Sequence, residues 1–198
     1  MRQAVTATRP LLDRGDLRQV VRQMADAVLA LKWPRDAVQA PPDLPLHRQP
    51  PRPWLIGIHR GGVQVARELA DAIELSEGWR PATGTLDITL YRDDTWLKGP
   101  VAVEAETELP GDPTGQRIVL CDDVLYTGRT VRAALSVLLD FGRPEAVRLA
   151  VLVDRGGREL PVAADVCGHK LDAPPSDSVE LGYDAQGRIA DVHFESRG

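Results

Sequence analysis

IVLCDDVLYTGRT, residues 118–130, is the stretch around which the chain is organised. Arg117–Cys121 forms a short apolar run, typical of a strand buried on both faces. Asp122 and Asp123 stand where that strand is expected to emerge. Residues 127–130 then turn the chain into a helix with apolar residues at helical spacing. Those apolar positions are Val131, Leu135, Leu138 and Leu139.

The turn at residues 127–130 suits a phosphate group. A helix N-terminus offers free backbone N–H groups and a positive dipole end. Gly128 allows the backbone to approach a ligand closely, and two threonine hydroxyls add donors. The carboxylates of Asp122 and Asp123 can accept hydrogen bonds from vicinal ribose hydroxyls and favour positive charge at an anomeric carbon. The alternative is a solvated turn that carries two aspartates at a strand end.

This stretch resembles the phosphoribosyl pyrophosphate (PRPP) motif of type I phosphoribosyltransferases. Its VLYTGRT portion resembles the PyrR group in particular, uracil phosphoribosyltransferases that also regulate pyrimidine genes by binding mRNA. Residues 87–94, DITLYRDD, resemble the flexible-loop segment of that family. Residues 149–161 resemble its entry to the base-binding hood. The resemblance extends from about Asp13 to the C-terminus, with a gap near residues 34–53.

The resemblance implies a reaction and a second function. The expected reaction converts uracil and PRPP to UMP and pyrophosphate, with Mg²⁺ as cofactor. The expected regulation acts through an mRNA leader of a pyrimidine operon, with UMP and PRPP as signals. A homodimer or larger homo-oligomer is also implied. The alternatives are a phosphoribosyltransferase for another base, and a catalytically weak nucleotide sensor without RNA binding.

The resemblance also assigns roles to individual residues. Asp122, Asp123 and Arg92 are the expected catalytic residues, the two aspartates contacting the metal indirectly. The expected phosphate-binding residues are Val124, Leu125, Tyr126, Thr127, Gly128, Arg129 and Thr130. The expected pyrophosphate loop is His59, Arg60, Gly61 and Gly62. Arg155 and Val179 are expected beside the base, and Arg14, Arg18, Arg22 and Arg158 at bound RNA.

Several of these assignments have structural alternatives. Arg92 can be a surface arginine beside two aspartates, and His59 a structural residue. Arg155 can be a structural ion-pair partner. Arg14, Arg18 and Arg22 recur every four residues, so they form a basic stripe that equally suits a solvated helix face.

The chain departs from the PyrR pattern at several positions. The pyrophosphate loop of the family commonly reads Thr-Arg-Gly, whereas this chain has Arg-Gly-Gly at residues 60–62. Asp26, Gly157, Ala163 and His169 replace residues that in the group are often basic or hydrogen-bonding. Each lost phosphate contact is expected to weaken RNA binding.

The remaining pattern predicts one α/β domain, residues 1–198, with a mainly parallel twisted sheet flanked by helices. We expect an α/β core at 13–153, which carries a proline-rich insertion at 34–53 and a flexible loop at 92–115. Residues 154–198 are expected to form a small β hood. The predicted core elements are a helix at Asp13–Lys32 and strands at Trp54–Ile58, Thr85–Tyr91 and Val147–Val153. The predicted hood strands are Leu160–Cys167, Val179–Gly182 and Ile189–Phe194.

Composition is that of an ordinary soluble domain. Of the 198 residues, 43% are hydrophobic and 27% charged, and the net charge of −5 argues against a general polyanion binder. The two cysteines fit no metal or redox spacing. The sequence shows neither a signal peptide nor a run of about 18 apolar residues. We therefore expect a cytoplasmic protein without membrane association.

Overall fold

A computed structural model describes residues 6–34, 52–91 and 106–197. These residues form two sheets and three helices. The helices are α1 (Arg14–Leu29), α2 (Gly61–Glu77) and α3 (Arg129–Phe141). The strands are β1 (Thr6–Leu12), β2 (Trp54–Ile58), β3 (Thr83–Leu86), β4 (Arg117–Leu125), β5 (Ala146–Asp154), β6 (Val166–Lys170), β7 (Ser178–Tyr183) and β8 (Ile189–Arg197).

The larger sheet has five strands in the order β3-β2-β4-β5-β6, and every neighbouring pair is parallel. Alternate residues of the central strand β4 face opposite layers, because successive side chains of a strand point to opposite faces. Val119 and Cys121 join a core with α1 and α2, whereas Ile118 and Leu120 join a second core with α3. Helices therefore cover both faces, and the predicted fold class is confirmed.

Helix α1 is held by its N-cap and by close packing on β6. Asp13 is the N-cap, and its Oδ1 accepts hydrogen bonds from the backbone N–H groups of Gly15 and Asp16 at 2.7 and 2.9 Å. Gly168 of β6 allows α1 to pack closely on this strand, because a Cβ at that position would lie only 2.7 Å from Met24 Sδ. The helix ends at Leu29, three residues before the predicted end.

The smaller sheet is antiparallel in the order β1-β8-β7. This sheet corresponds to the predicted hood, but the strands that form it differ from the prediction in two respects. The N-terminal strand β1 pairs with β8, so the hood sheet includes both ends of the described chain. The strand predicted at Leu160–Cys167 instead spans Val166–Lys170 and pairs with β5 as the edge of the larger sheet.

Three further elements differ from their predicted form. The strand predicted at Thr85–Tyr91 ends at Leu86, and Thr89–Tyr91 forms a 3-10 turn. Asp87 causes the change, because its Oδ1 accepts hydrogen bonds from the N–H and hydroxyl of Thr89 at 2.8 and 2.5 Å. Strand β4 continues through the aspartate pair instead of ending before it. In α3, the apolar Leu139 is 56% exposed.

The predicted flexible loop is only partly within the described residues. Residues 92–105, which include Arg92, lie outside them, as does most of the proline-rich insertion, residues 35–51. The described end of the loop is anchored to β3. Thr85 and Glu108 exchange two backbone hydrogen bonds of 2.8 and 2.9 Å. Within the described ranges, none of the helices has the length and apolar character that a membrane crossing requires.

The packing of α3 gives a test of the fold. Leu138 is completely buried against the sheet, whereas the adjacent Leu139 is 56% exposed. We expect Leu138→Ala to lower the free energy of unfolding by about 2–5 kcal/mol because it opens a core cavity. Leu139→Ala, the matched control, should change it by less than about 0.5 kcal/mol. Urea denaturation measures both, and equal effects would contradict this packing.

Candidate active site

Three loops meet at the carboxyl edge of the parallel sheet. Residues 59–62 follow β2, residues 126–130 follow β4, and Arg155 follows β5. The strands are in register, with Gly57 opposite Cys121 and Leu125 opposite Asp154. Parallel sheets bind ligands at this edge, because the helix N-termini and the loops that can hold a ligand lie there.

The N-terminus of α2 packs directly against β4. A Cβ at Gly61 would collide with the carboxylate of Asp123, and one at Gly62 would collide with the carbonyl oxygen of Cys121. The glycine pair is therefore required by this contact, since no other residue leaves the space. The preceding peptide bond, between His59 and Arg60, is cis. Residues 59–60 form the turn, and Gly61 and Gly62 begin α2, so that the helix N-terminus lies beside Asp123.

Asp122 and Asp123 differ in exposure and in their partners. Asp122 is 5% exposed, and its Oδ1 accepts a hydrogen bond of 3.0 Å from the N–H of Asp123. Asp123 is partly exposed, and its Oδ1 accepts a hydrogen bond of 2.8 Å from the N–H of Val124. These local bonds fix both carboxylates relative to the strand. Asp123 is the member of the pair that faces the turn at Gly61.

The turn into α3 has the geometry of an anion site. Gly128 is the N-cap with φ of 91°, a left-handed conformation that favours glycine, and it has no side chain to cap the helix. The Thr127 hydroxyl accepts a hydrogen bond of 3.3 Å from the N–H of Arg129, and the Thr127 carbonyl oxygen accepts backbone hydrogen bonds from Glu159 and Leu160 at 3.0 and 3.1 Å. The following N–H groups of the first turn of α3 are backbone donors of the kind that bind an anion.

The other residues predicted to bind phosphate differ in their burial. Leu125 is a core residue and Val124 packs against the core, so both can contribute to ligand binding only through their backbone. Arg129 is exposed, and its guanidinium pairs with Glu159 at 2.7 Å. Thr130 lies partly exposed in the first turn of α3. The structure therefore brings the predicted loop together at the carboxyl edge of the parallel sheet.

Arg155 is buried at the entry to the hood. It is 6% exposed, its Nη2 donates to the carbonyl oxygen of Pro174 at 2.8 Å, and its guanidinium carbon lies 4.1 Å from the centre of the Tyr126 ring. Its buried Nε has no hydrogen-bond partner within the described residues. Val179 packs against the core formed with α1 and α2, so its side chain anchors the hood.

The four arginines predicted at RNA fall into two groups. Arg18 and Arg22 are exposed on α1, and Arg14 pairs with Asp184 of the β7–β8 turn at 3.3 Å. Arg158 instead points into the protein, where it contacts the Asp154 carboxylate and several backbone carbonyls. Its guanidinium is occupied by these internal contacts, which disfavours the predicted RNA role.

Tyr183 was missed by the sequence analysis. Burial first, and then the negative charges of Asp123 and Glu180, raise the pKa of its hydroxyl. The hood residue therefore lies within electrostatic range of the acidic pair, about 60 residues away in sequence. No local sequence pattern around a tyrosine at the end of a short strand could have predicted that it lies near Asp123.

Cys121 cannot serve as a nucleophile. It is completely buried, and burial together with the Asp122 charge raises the pKa of its thiol far above the neutral range. Its burial agrees with the prediction that Arg117–Cys121 is part of a strand buried on both faces. The reactive features of the site are thus carboxylates, helix N-termini and a guanidinium.

Comparison with known proteins agrees with this arrangement. The phosphoribosyl transferase domain family matches residues 47–183. A curated relative from Geobacter sulfurreducens, named bifunctional protein PyrR, is 45% identical over 71% of this chain and 80% of its own length. The chain belongs to the PyrR family. Its PyrR relative from Roseiflexus is 55% identical, with 59% of this chain and 64% of that protein aligned.

Solved structures support the PyrR-type fold. A hypoxanthine phosphoribosyltransferase of Trypanosoma cruzi matches with a TM-score of 0.64 and 18% identity, over 94% of this chain and 95% of that one. A hypoxanthine-guanine phosphoribosyltransferase from Bacillus anthracis matches with a TM-score of 0.63 and 13% identity, over 96% and 99%. At these identities the likeness shows the fold. The predicted family and fold are both confirmed.

The contact between α2 and β4 gives a test of the PyrR site. We expect Gly61→Ala to lower phosphoribosyl transfer at least tenfold, because the new methyl group must displace the Asp123 carboxylate. Gly111→Ala is the matched control, since its Cβ would meet only a Trp54 ring atom at an ordinary 3.7 Å. Product formation and thermal unfolding should be measured for both. Full activity in Gly61→Ala would show that Asp123 need not occupy this position.

Proposed function

We propose that the chain is a uracil phosphoribosyltransferase that forms UMP and pyrophosphate from uracil and PRPP, and a regulator of pyrimidine genes that binds an mRNA leader. The observation that carries the enzymatic proposal is the Asp123 carboxylate, which lies against the N-terminus of α2 on the strand that leads into α3. Two anion-binding helix ends with a carboxylate at the same edge of the sheet suit a ribose that carries phosphate at one end and pyrophosphate at the other. Membership in the PyrR family supports uracil as the base.

The chain's own residues would act mainly by positioning and electrostatics. The N-terminus of α3 with Thr127 and Thr130 would hold the 5′-phosphate. The turn at residues 60–62 would hold the pyrophosphate. Asp122 and Asp123 would accept hydrogen bonds from the ribose hydroxyls, and the negative charge of Asp123 would favour the positive charge that develops at the anomeric carbon. Arg92, whose role remains a prediction from sequence, would close over the pyrophosphate.

The donor set fits magnesium bound together with substrate. Mg²⁺ prefers oxygen ligands and is commonly held by one or two carboxylates plus substrate phosphates and water. Asp122 and Asp123 supply carboxylates that would contact such an ion indirectly, through water. In residues 6–34, 52–91 and 106–197, no group of three or more His, Cys, Asp or Glu side chains is placed to hold a metal by itself. When bound, the ion would neutralise charge on the leaving pyrophosphate.

The hood suits a flat, hydrogen-bonding base. Among the described residues the buried Nε of Arg155 has no hydrogen-bond partner, and an unpaired buried donor is costly unless a ligand satisfies it. A carbonyl oxygen of uracil would supply that acceptor. The Arg155 guanidinium donates a hydrogen bond to the Pro174 carbonyl oxygen, and this contact would preform the base side of the site. These features support base binding beside Arg155.

The basic face of α1 supports the regulatory proposal. Arg18 and Arg22 lie one turn apart on the exposed side of the helix, while the opposite side is buried through Leu17, Met24 and Val28. Exposed arginines at this spacing can contact successive phosphates of RNA. With a net charge of −5, such a local patch would direct RNA to one face of the molecule.

Replacement of Asp123 tests the enzymatic proposal. We expect Asp123→Asn to leave the fold intact and to lower turnover by at least about tenfold, because the carboxamide keeps the 2.8 Å bond from the Val124 N–H but loses the charge. Steady-state formation of UMP with Mg²⁺ is the measurement. Asp26→Asn, at an exposed position of α1, is the control. Unaltered turnover in Asp123→Asn would remove the role given to this carboxylate.

Neutralising the α1 stripe tests the regulatory proposal. We expect the double variant Arg18→Gln/Arg22→Gln to weaken binding of a pyrimidine-operon leader RNA. The slope of log K against log salt should become shallower by about 1.4, since each contact to single-stranded RNA contributes about 0.7. The control Arg67→Gln/Arg143→Gln removes the same charge from other exposed positions. Failure of the unaltered protein to bind this RNA at low salt would refute the regulatory proposal.

A further inference from the structure

The ring of Tyr126 lies between the phosphate-binding turn and the hood. Tyr126 immediately precedes Thr127, and its ring packs under the Arg155 guanidinium, 4.1 Å from ring centre to guanidinium carbon. The backbone of Gly157 packs against the ring edge, where a Cβ would collide with the ring carbons. Gly157 also has φ of 70°, which glycine adopts without strain. The ring thus occupies a slot that exists only because residue 157 lacks a side chain.

The backbone of Tyr126 is fastened by a second arginine. Arg158 Nη1 donates to the carbonyl oxygens of Tyr126 at 2.5 Å and of Gly156 at 3.0 Å, and its Nε donates to that of Val162 at 3.1 Å. Its Nη2 pairs with the Asp154 carboxylate. One guanidinium therefore ties the end of β4 to the loop that enters the hood. Only a planar fork with several donors can make these contacts together.

Arg155 depends on this assembly for its position. Its Nη2 is held by the Pro174 carbonyl, its guanidinium lies over the Tyr126 ring, and its buried Nε has no hydrogen-bond partner in the part of the chain that the structure describes. A cation over an aromatic face is attracted by the ring quadrupole, most strongly where water is excluded. Loss of the ring would free the guanidinium to rotate about the Pro174 contact. Movement of the turn at Thr127 would likewise carry the ring, and Arg155 with it.

We infer that Tyr126 is a positioning residue that couples the phosphate-binding turn to Arg155 and so orients the base. Gly157 provides the space for its ring, and Arg158 fixes its backbone. The inference rests on the proposed function, because it assigns Arg155 to the base side of that site. Tyr126 would therefore affect the part of nucleotide affinity that depends on the base. The part that depends on the phosphate would come from the turn at residues 127–130.

Nucleotide binding to Tyr126 variants tests the inference. Calorimetry should compare UMP, IMP, GMP and ribose 5-phosphate on the full chain. We expect Tyr126→Leu to weaken the preferred nucleotide about tenfold, as for a partly buried cation–π contact, while ribose 5-phosphate changes less than about twofold. Tyr126→Phe keeps the ring and should keep the preference for nucleotide over ribose 5-phosphate. Phe141→Leu, at an exposed aromatic residue of α3, is the control for loss of a ring elsewhere.

Three further variants test the inference while the tyrosine itself is kept. Gly157→Ala keeps the tyrosine in the sequence, but its methyl group fills the slot that the ring occupies. We expect it to lower the same preference for nucleotide over ribose 5-phosphate. Arg158→Lys keeps the charge but not the fork, so it should restore at most part of the preference lost in Arg158→Leu. Thermal unfolding checks that each variant is folded.

The inference is overturned if folded Tyr126→Leu keeps the nucleotide preference, or if it weakens ribose 5-phosphate as strongly as the nucleotide. The proposed function has a separate readout, because it fails if the unaltered protein forms no UMP from uracil and PRPP. The coupling can still be measured in that case with whichever nucleotide the unaltered protein prefers. The two failures are therefore distinguishable.

Discussion

The close contact between the first turn of α2 and strand β4 is the constraint on which the site depends. Two consecutive glycines at 61 and 62 allow a helix backbone to lie against the Cys121 carbonyl and the Asp123 carboxylate. A side chain at either position would separate the helix from the strand. The contact places a positive helix end beside a carboxylate, and the parallel register of β2 and β4 holds it at the ligand-binding edge of the sheet.

The side of the site proposed to bind phosphate is built on the parallel sheet, whereas the side proposed to bind the base combines several elements. The turns after β2 and β4 extend from strands that are largely buried. The base side combines the end of β5 with the loop at Pro174 and with the smaller sheet, which includes the N-terminal strand β1. Arg155 and Arg158 join these parts through backbone carbonyls. Arginine suits this role because it offers several donors in one plane.

The central elements could be predicted because their signals are local. An apolar run followed by a glycine turn and a helical repeat specifies β4, its turn and α3 almost completely. The strand predicted at Thr85–Tyr91 failed because alternating residues cannot reveal that Asp87 caps a turn. The extension of β4 through Asp122 and Asp123 was missed because acidic residues disfavour strands locally, yet pairing with β5 continues the ladder past both of them.

The sequence by itself determined the family, the parallel α/β core, the acidic pair and the phosphate-binding turn, because hydrophobic period and turn chemistry act within a few residues. Only the tertiary structure decided which groups meet across the fold. It turned Arg158 into the protein, put the Tyr126 ring under Arg155, brought Tyr183 within range of Asp123 and joined β1 to the hood. These relations link residues far apart in the chain, and they depend on packing and burial that no local pattern encodes.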